Sequence, residues 1–215
     1  MIRAVIFDLD GLLLDSESAW DDGRRALVAE HGPEWPGGAT EAMLGMSSPE
    51  WSRYVRDELR VPLEPDEISD RVVAHVLERY EERLPLLPGA EQAVARIAAR
   101  WPLALASSSN KQVIDRVMQA SGWGEVFQAW VSSEEVGRGK PAPDVFLEAA
   151  LRLDADPADA AGIEDSNNGI LAARAAGLRV IAIPNHEFPP SAEALAAAHA
   201  VLGSLDELTP SVIER

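Results

Sequence analysis

Two aspartates close to the N-terminus form the most reactive pattern in this sequence. Asp8 and Asp10 follow the apolar run Ala4–Phe7, which has the length and composition of a strand buried on both faces. Gly11 then allows the chain to turn away. Because residues two apart on a strand point to the same side, both carboxylates are expected to face one point beyond the sheet. Two carboxylates at such a point repel each other, so the pattern predicts a shared proton or a bound metal ion.

Three later polar segments also follow predicted strands. In an open parallel sheet the carboxyl ends of the strands share one edge, where ligands bind, so these segments are expected beside Asp8 and Asp10. Taken singly, each segment has an ordinary explanation as a helix start or an exposed side chain. Their order along the chain makes chance agreement remote. They are residues 107–110 (Ser-Ser-Ser-Asn), 139–141 (Gly-Lys-Pro) and 162–169 (Gly-Ile-Glu-Asp-Ser-Asn-Asn-Gly).

The second half of the chain supplies most of these strand ends. From residue 102 onward, short apolar runs alternate with segments whose apolar residues recur at helical spacing. This alternation predicts an α/β fold with a doubly wound parallel sheet. Strands are predicted at residues 4–7, 103–106, 127–131, 160–163, 180–183 and 200–202. Helices are predicted at residues 91–100, 112–120, 144–153, 170–176 and 191–199.

Residues 15–84 interrupt this alternation. They carry helical patterns at residues 16–31, 40–44, 49–59 and 65–83, with no convincing strand. Acidic residues outnumber arginines in this segment, and lysine is absent from it. A helical block after the first strand is expected to lie over the carboxyl edge of the sheet as an inserted cap domain, residues 15–84. The core domain then comprises residues 1–14 and 85–215, with hinges at residues 14–16 and 84–86.

Composition restricts the partners of this chain. It has 215 residues, a formal net charge of −17 and no cysteine. An acidic chain is not attracted to nucleic acid or to an anionic membrane, so neither is expected as a partner. The absence of cysteine excludes disulfides and thiolate chemistry. The sequence enters its first strand without a leader-like segment, and no apolar run approaches the roughly 20 residues that span a bilayer, so we expect a cytoplasmic monomer or dimer.

The order and spacing of the motifs resemble those of the haloacid dehalogenase superfamily. The resemblance is nearest to the subgroup of β-phosphoglucomutase and phosphoglycolate-type phosphatases, in which a helical cap follows the first motif. It covers nearly the whole chain and is specific for the superfamily, but it is weak for the substrate. The matching stretches are Asp-Leu-Asp-Gly-x-Leu-x-Asp-Ser at residues 8–16, Ser107 after an apolar strand, Gly-Lys-Pro-Ala-Pro-Asp-x-Phe at residues 139–146, and Gly-Ile-Glu-Asp-Ser-x-x-Gly-Ile at residues 162–170.

The resemblance implies a role for each motif residue. Asp8 would attack phosphorus and form an aspartyl-phosphate. Asp10 would protonate the leaving alcohol and later take a proton from the attacking water. Ser107, Ser108 and Lys140 would hold the phosphoryl oxygens. A metal ion would be held by Asp8, the carbonyl group of Asp10, Glu164 and Asp165.

Charge counting supports a metal ion independently of the resemblance. Asp8, Asp10, Glu164 and Asp165 carry four negative charges when ionised, against one positive charge on Lys140. A phosphate dianion would be repelled by this balance. A hard divalent cation with oxygen ligands reverses the local sign and suits phosphoryl transfer, so Mg²⁺ is the predicted cofactor.

Hydrolysis of a phosphate monoester is the favoured activity, and a sugar-phosphate mutase is the alternative. By register, Trp20 stands where the mutase has a cap histidine, Ser48 stands where it has an arginine, and the cap lysine is missing. Without those cations the cap cannot easily hold a second phosphate, unless Arg53 or Arg56 compensates. A non-catalytic phospho-receiver or interaction module is a more remote alternative, because receivers lack a helical insert after the first strand.

A small set of cap residues is expected to contact the leaving group of the substrate. Because the cap is acidic, a polyanionic substrate is disfavoured, and a small phosphorylated metabolite such as a sugar phosphate is the expected partner. The loop at residues 45–48 is the best candidate for this contact. The candidate specificity residues are Ser16, Trp20, Gly45, Met46, Ser47 and Ser48.

Overall fold

Six parallel strands form one sheet in the computed structural model, which describes residues 1–32, 34–43, 46–186 and 188–214. Their order across the sheet is β3-β2-β1-β4-β5-β6, so that β1 is central, between β2 and β4. The predicted α/β class with a doubly wound parallel sheet is confirmed. The strands are β1 (Ala4–Phe7), β2 (Leu103–Ser107), β3 (Ala129–Ser132), β4 (Ala160–Glu164), β5 (Arg179–Ala182) and β6 (Ala200–Val201).

Helices connect the strands and form the segment after β1. None of those in the described ranges combines the length and the apolar character that a bilayer crossing needs. The helices before β2 are α1 (Glu17–Glu30), α2 (Ala39–Met43), α3 (Ser48–Asp57), α4 (Pro65–Glu82) and α5 (Ala90–Ala98). Those after β2 are α6 (Lys111–Ala120), α7 (Asp144–Arg152), α8 (Asn167–Ala175), α9 (Ala192–Ala197) and α10 (Pro210–Glu214). Single 3₁₀ turns lie at Trp123–Glu125, Ser133–Glu135, Pro157–Asp159 and Leu205–Glu207.

The central strand shows that the sheet is buried on both faces. Val5 and Phe7 belong to one apolar cluster, and Ala4 and Ile6 belong to the other, as the two-residue period of a strand requires. The first cluster includes α5 and α6 and continues into α1 and α4, whereas the second includes α7, α8 and α9. Because helices cover both faces, a ligand reaches the sheet at the ends of its strands.

Several element boundaries differ from the sequence prediction for local reasons. β3 begins two residues later than predicted, because Phe127 closes the preceding 3₁₀ turn with its N–H 2.9 Å from the carbonyl oxygen of Trp123. α8 begins three residues earlier than its apolar pattern, because the Ser166 hydroxyl accepts a hydrogen bond from the N–H of Gly169 and caps the helix. The five-residue helix α10 was outside the prediction, since it is too short to show a helical period.

In residues 15–84 the described part of the chain contains helices α1 to α4 and no strand of the sheet. Helix α4 packs against α1 and α3 and also contacts α6. The two connections to the sheet run side by side. The N–H of Asp15 lies 2.8 Å from the carbonyl oxygen of Pro85, and the N–H of Leu87 lies 2.9 Å from that of Leu13. This pairing suits a double hinge, and the division into a cap (15–84) and a core (1–14 and 85–215) stays a prediction.

Candidate active site

The polar segments at the strand ends meet at one cavity. Because β2, β1 and β4 are neighbours in the sheet, the residues that follow them lie side by side. The cavity has a volume of about 460 Å³, and Asp8, Asp10, Ser108, Lys140 and Asp165 contribute to its walls. The structure therefore brings the predicted motifs together, whereas the role of each residue stays a prediction.

Lys140 is the buried cation of this cavity. Its ammonium group donates to the Asp8 carboxylate (Nζ to Oδ1, 2.5 Å), to the Glu164 carboxylate (Nζ to Oε1, 2.6 Å) and to the carbonyl oxygen of Ala106 (3.1 Å). Burial acts to lower the pKa of Lys140, but the two carboxylates outweigh it and raise the pKa above its usual value. Lys140 therefore stays charged, and it has as many acceptors as hydrogens.

Asp8, Glu164 and Asp165 bring carboxylate oxygens within 4.8 Å of one another, and all three side chains are buried. Burial and the charge of Glu164 raise the pKa of Asp8 and of Asp165 well above the usual value, although Lys140 acts in the opposite direction. Oδ1 of Asp165 is buried without a hydrogen-bond partner among the described residues. These oxygens form a donor set for a hard divalent cation, and the unpartnered oxygen fits such an ion.

Two glycines let the carboxylates approach the backbone. Gly11 has a φ of +80°, and a Cβ atom on it would collide with the Asp165 carboxylate. A Cβ atom on Gly169 would collide with the Glu164 carboxylate. Oε2 of Glu164 accepts hydrogen bonds from the N–H groups of Asp165 and Ser166 and from the Ser166 hydroxyl, at 3.0, 3.1 and 3.0 Å. Glu164 is therefore held in one position, which explains the glycine at this place in the motif.

Asp10 lies in the same cavity as Asp8 but has different partners. Its Oδ2 accepts hydrogen bonds from the hydroxyls of Ser109 at 2.7 Å and Ser107 at 3.1 Å, and its Oδ1 accepts one from the indole N–H of Trp20 at 3.4 Å. The expectation that both carboxylates extend from one strand is wrong, because β1 ends before Asp8 and Asp10 lies in the following loop. The loop brings Asp10 to the same cavity by another route.

The serines after β2 have different surroundings. Ser107 is fully buried, and its hydroxyl donates to Asp10 and accepts a hydrogen bond from the N–H of Ser109 at 2.9 Å. In the part of the chain that the structure describes, Ser108 lines the large cavity and Ser107 does not. Ser108 is thus the better placed of the two predicted residues for a phosphoryl oxygen. Ser109, which the motif alone does not single out, donates a hydrogen bond to the same Asp10 oxygen as Ser107 does.

A second, smaller pocket extends from Asp10 toward α1 and α3. Of the predicted cap residues, Trp20, Met46 and Ser48 line it. The Ser48 hydroxyl also donates to Oδ1 of Asn110 at 2.5 Å, so it joins the helical segment to the residues after β2. These three side chains therefore lie beside one of the two aspartates, where a leaving group would be.

The other predicted cap residues are differently placed. Ser47 is the N-cap residue of α3, where its hydroxyl donates to the Glu50 carboxylate at 2.6 Å, and it lies against Gly139. Ser16 is buried just before α1, and among the described residues it lines neither the large cavity nor the smaller pocket. Gly45 lies outside the described residues. Substrate contact by Ser16 or Ser47 stays a prediction without support from these positions.

Two charged residues of α1, Glu17 and Arg24, also line the smaller pocket. Neither of them was predicted from the sequence as a site residue. With Trp20 they have i, i+3, i+7 spacing, so they share one helix face. That spacing is the sequence signal that identifies them once Trp20 is placed at the site. The two cap arginines considered from the sequence lie elsewhere, since Arg53 is exposed and Arg56 pairs with acidic residues near the surface.

The fold and the cavity have the arrangement of a haloacid dehalogenase-like hydrolase, and comparison with known proteins agrees. A family model described as haloacid dehalogenase-like hydrolase matches residues 2–177. The chain belongs to this family, so the predicted resemblance is confirmed.

Two relatives and one solved structure show the same likeness over the length of the chain. Hexitol phosphatase B of Escherichia coli strain K12 is 34% identical over 218 residues, which cover 97% of this chain and 95% of that protein. A bifunctional riboflavin kinase/FMN phosphatase of Arabidopsis thaliana is 34% identical over 203 residues, and this chain spans about half of its length (94% and 53% covered). The structure of CbbY from Rhodobacter sphaeroides in complex with phosphate has a TM-score of 0.88 and 28% identity over 100% of both chains. The predicted enzyme class, a phosphoric monoester hydrolase, is confirmed.

Proposed function

We propose that this protein is a Mg²⁺-dependent phosphatase that hydrolyses the phosphate monoester of a small metabolite through a phosphorylated Asp8. The observation that carries the proposal is that the two aspartate carboxylates in one cavity have different hydrogen-bond partners. Lys140 lies 2.5 Å from Asp8 and favours its anionic form, whereas Asp10 is held by hydroxyl and indole donors. An anionic carboxylate suits a nucleophile, and a second carboxyl group within reach suits an acid and base.

In the first step a carboxylate oxygen of Asp8 attacks phosphorus. An O–P bond to Asp8 forms, and the P–O bond to the leaving alcohol breaks. Asp10, in its protonated form, transfers its proton to the leaving oxygen, so that a neutral alcohol departs. Ser108 donates a hydrogen bond to a phosphoryl oxygen, and Lys140 offsets the negative charge. Ser109 keeps the Asp10 carboxyl group oriented.

In the second step a water molecule attacks the phosphorus atom of phosphorylated Asp8. Asp10, now ionised, accepts a proton from this water, and the O–P bond to Asp8 breaks. Inorganic phosphate leaves, and both aspartates return to their starting protonation states. The cycle consumes one water molecule and releases one alcohol and one phosphate.

The acidic cluster fits the predicted Mg²⁺. Asp8, Glu164 and Asp165 would hold the ion, together with the carbonyl oxygen of Asp10. When bound, Mg²⁺ supplies positive charge that stabilises the transferring phosphoryl group. The pKa values of Asp8 and Asp165 are raised even with Lys140 beside them, so a further cation would favour the ionised form of both carboxylates. The unpartnered oxygen of Asp165 supports the same site.

A monophosphate of a small metabolite is the substrate that the relatives and the pocket support. The relatives carry the names hexitol phosphatase and FMN phosphatase, which both describe the hydrolysis of a phosphate monoester. The pocket beside Asp10 is bounded by Trp20 and Trp51 and has a volume of about 70 Å³, so it limits the leaving alcohol to a modest size. A mutase must hold a second phosphate in that pocket, and the indole of Trp20 occupies the position where a cationic histidine would serve this purpose.

The test compares wild-type protein with Asp8→Asn, and with Asp70→Asn as an exposed control, over a panel of metabolite monoesters. We expect phosphate release by the wild type in Mg²⁺, loss of release with excess chelator, and recovery when Mg²⁺ is restored. Asp8→Asn should lose activity by on the order of 10³-fold or more, while the control keeps it. Acid quenching with ³²P-labelled substrate should leave label on the wild type and none on Asp8→Asn. Phosphate release by Asp8→Asn at the wild-type rate would refute the proposal.

One further assay separates hydrolysis from the mutase alternative. The enzyme is given β-glucose 1-phosphate together with glucose 1,6-bisphosphate, and glucose 6-phosphate and inorganic phosphate are followed together. A phosphatase releases phosphate at least as fast as it forms glucose 6-phosphate. Faster formation of glucose 6-phosphate would establish the mutase instead.

A further inference from the structure

Arg24 places a positive charge in the smaller pocket beside Asp10. The residue is only 4% exposed. Its Nε donates to the carbonyl oxygen of Trp20 at 3.0 Å, and its guanidinium carbon lies 5.9 Å from the ring centroid of Trp51. In the described residues no carboxylate forms an ion pair or hydrogen bond with this guanidinium. Its terminal nitrogens are therefore donors for a molecule in the pocket.

Glu17 stands between the large cavity and the smaller pocket, because its side chain lines both. Burial raises the pKa of Glu17 to about 7, with Arg24 opposing the shift and Asp10 adding to it. The ionised carboxylate accepts hydrogen bonds, and the protonated carboxyl group both donates and accepts them. In either form Glu17 is able to bond a hydroxyl group.

The other walls of the pocket are apolar. The rings of Trp20 and Trp51 have centroids 6.2 Å apart and planes inclined at 59°, and Met43 and Met46 complete the lining around them. A polyhydroxylated carbon chain presents C–H groups that pack on such rings and hydroxyl groups that need polar partners. The pocket offers those polar partners at Glu17, at Arg24 and at the serines beside them.

We propose that Glu17 and Arg24 are the specificity-determining pair for the leaving alcohol, each holding one hydroxyl group of a polyol or sugar whose phosphate lies at Asp8. This assignment rests on the proposed function, since it concerns the alcohol released in that reaction. Arg24 donates to the oxygen of one hydroxyl group, and Glu17 accepts the hydrogen of another. Because Glu17 borders the phosphate cavity, the substrate hydroxyl group that it binds is the one nearer to the phosphate.

A second anion on the leaving alcohol fits this pocket less well. The ionised carboxylate of Glu17 opposes the charge of Arg24, and Lys140 is already bonded to Asp8. The pocket therefore offers a phosphate or a carboxylate no net positive charge. Hydroxyl groups need a donor and an acceptor at close range, which this pair supplies. The preferred substrate is a monophosphate whose alcohol is rich in hydroxyl groups and otherwise uncharged.

The test measures kcat/KM for three substrates in the Mg²⁺-loaded full chain. A hexitol phosphate has a hydroxyl-rich leaving group, p-nitrophenyl phosphate has none of these hydroxyls, and phosphoglycolate carries a carboxylate. The variants are Arg24→Met, Arg24→Lys and Glu17→Met, with the exposed residues Arg53→Met and Glu58→Met as matched controls. We expect the ratio of kcat/KM for hexitol phosphate to that for p-nitrophenyl phosphate to fall roughly 10- to 100-fold in Arg24→Met and Glu17→Met. Arg24→Lys should fall less, and the controls should keep the wild-type ratio.

Two results would overturn the assignment while leaving the phosphatase intact. One is an unchanged ratio in folded Arg24→Met and Glu17→Met, with folding checked by a circular-dichroism melt. The other is a wild-type preference for phosphoglycolate that disappears in Arg24→Met, which would make Arg24 a carboxylate site. If Arg24→Met does not fold, the ratio in Arg24→Lys decides. A wild type that hydrolyses no monoester at all would instead refute the proposed function, and the specificity pair with it.

Discussion

Lys140 and Asp8 form a buried ion pair with Nζ 2.5 Å from Oδ1, and the same ammonium group lies 2.6 Å from Oε1 of Glu164. One lysine thereby joins the carboxyl ends of β1 and β4 across the cavity. With Asp165 nearby, the buried carboxylates still outnumber the buried cation. This excess of negative charge is the physical reason to expect a divalent ion here.

Replacing Lys140 should destabilise the fold, because the buried carboxylates then repel each other without a compensating charge. Lys140→Met leaves Asp8 and Glu164 without their cation, so we expect the free energy of unfolding to fall by roughly 3–5 kcal/mol in chelator. Urea unfolding measures this change. The matched control is Lys111→Met, because Lys111 is the only other lysine and pairs with Asp115 at the surface. Similar losses in the two variants would contradict a special role for the buried pair.

Mg²⁺ should alter how stability depends on pH. Without a metal ion, the pKa values of Asp8 and Asp165 are raised in the folded state, so the folded chain holds protons that the unfolded chain releases. The stability that these groups contribute is present below their ordinary pKa, near 4, and is lost as pH rises through the folded-state values. Urea unfolding in chelator should therefore show stability that decreases as the pH rises above about 4.

Bound Mg²⁺ should reverse that trend, because it favours the ionised carboxylates. The difference in stability between Mg²⁺ and chelator should then grow with pH. In Asp165→Asn the difference should be smaller at every pH, since one ligand is lost and one source of repulsion is removed. A Mg²⁺ effect that is equal in Asp165→Asn and the wild type would place the ion elsewhere.

Asn110 is expected to stabilise the contact between the helical segment and the sheet. Its Oδ1 accepts a hydrogen bond from Ser48 at 2.5 Å, and its Nδ2 donates to Glu134 at 2.6 Å and to Ser69 at 3.3 Å. Asn110→Ala should lower the free energy of unfolding by roughly 1–3 kcal/mol, because the buried Ser48 hydroxyl loses its hydrogen-bond acceptor. Ser69→Ala removes only the longest bond and should have the smaller effect. Equal effects in the two variants would argue against a bridging role for Asn110.

Gly169 should tolerate no side chain. A Cβ atom there would collide with the Glu164 carboxylate, so Gly169→Ala should lower the free energy of unfolding by roughly 1–3 kcal/mol and weaken Mg²⁺ binding. Titration calorimetry with Mg²⁺ measures the second effect. Gly124→Ala is the control, because a Cβ atom there would have an ordinary contact, 3.6 Å from the carbonyl oxygen of Met118. A normal Mg²⁺ affinity in Gly169→Ala would show that the position of Glu164 is not critical.

Much of the fold was predictable because it depends on local sequence patterns. The apolar runs at residues 4–7 and 160–163 have the composition of strands buried on both faces, and both form central strands. The helical periods in residues 15–84 likewise predicted α1, α3 and α4 to within a few residues. Burial and period are properties of neighbouring residues, so a short window of sequence contains them.

The partners of each site residue were less predictable, because they come from distant parts of the chain. The motifs predicted that Asp8 and Asp10 lie at the site. They did not predict that Lys140 binds the Asp8 carboxylate and Ser109 binds the Asp10 carboxylate. Ser107 was expected to face phosphate, and its hydroxyl donates to Asp10 instead. These contacts depend on loop paths after β1 and β2 that no periodic pattern describes.

Order along the chain was enough to indicate which strand ends meet, since parallel strands in an alternating α/β chain share one carboxyl edge. The choice of residues that face the leaving group depended on the packing of α1 against α4. Glu17 and Arg24 look like ordinary charged residues of an acidic helix in the sequence. Only the rotation of that helix, set by the burial of its apolar side against α4, turns them toward Asp10.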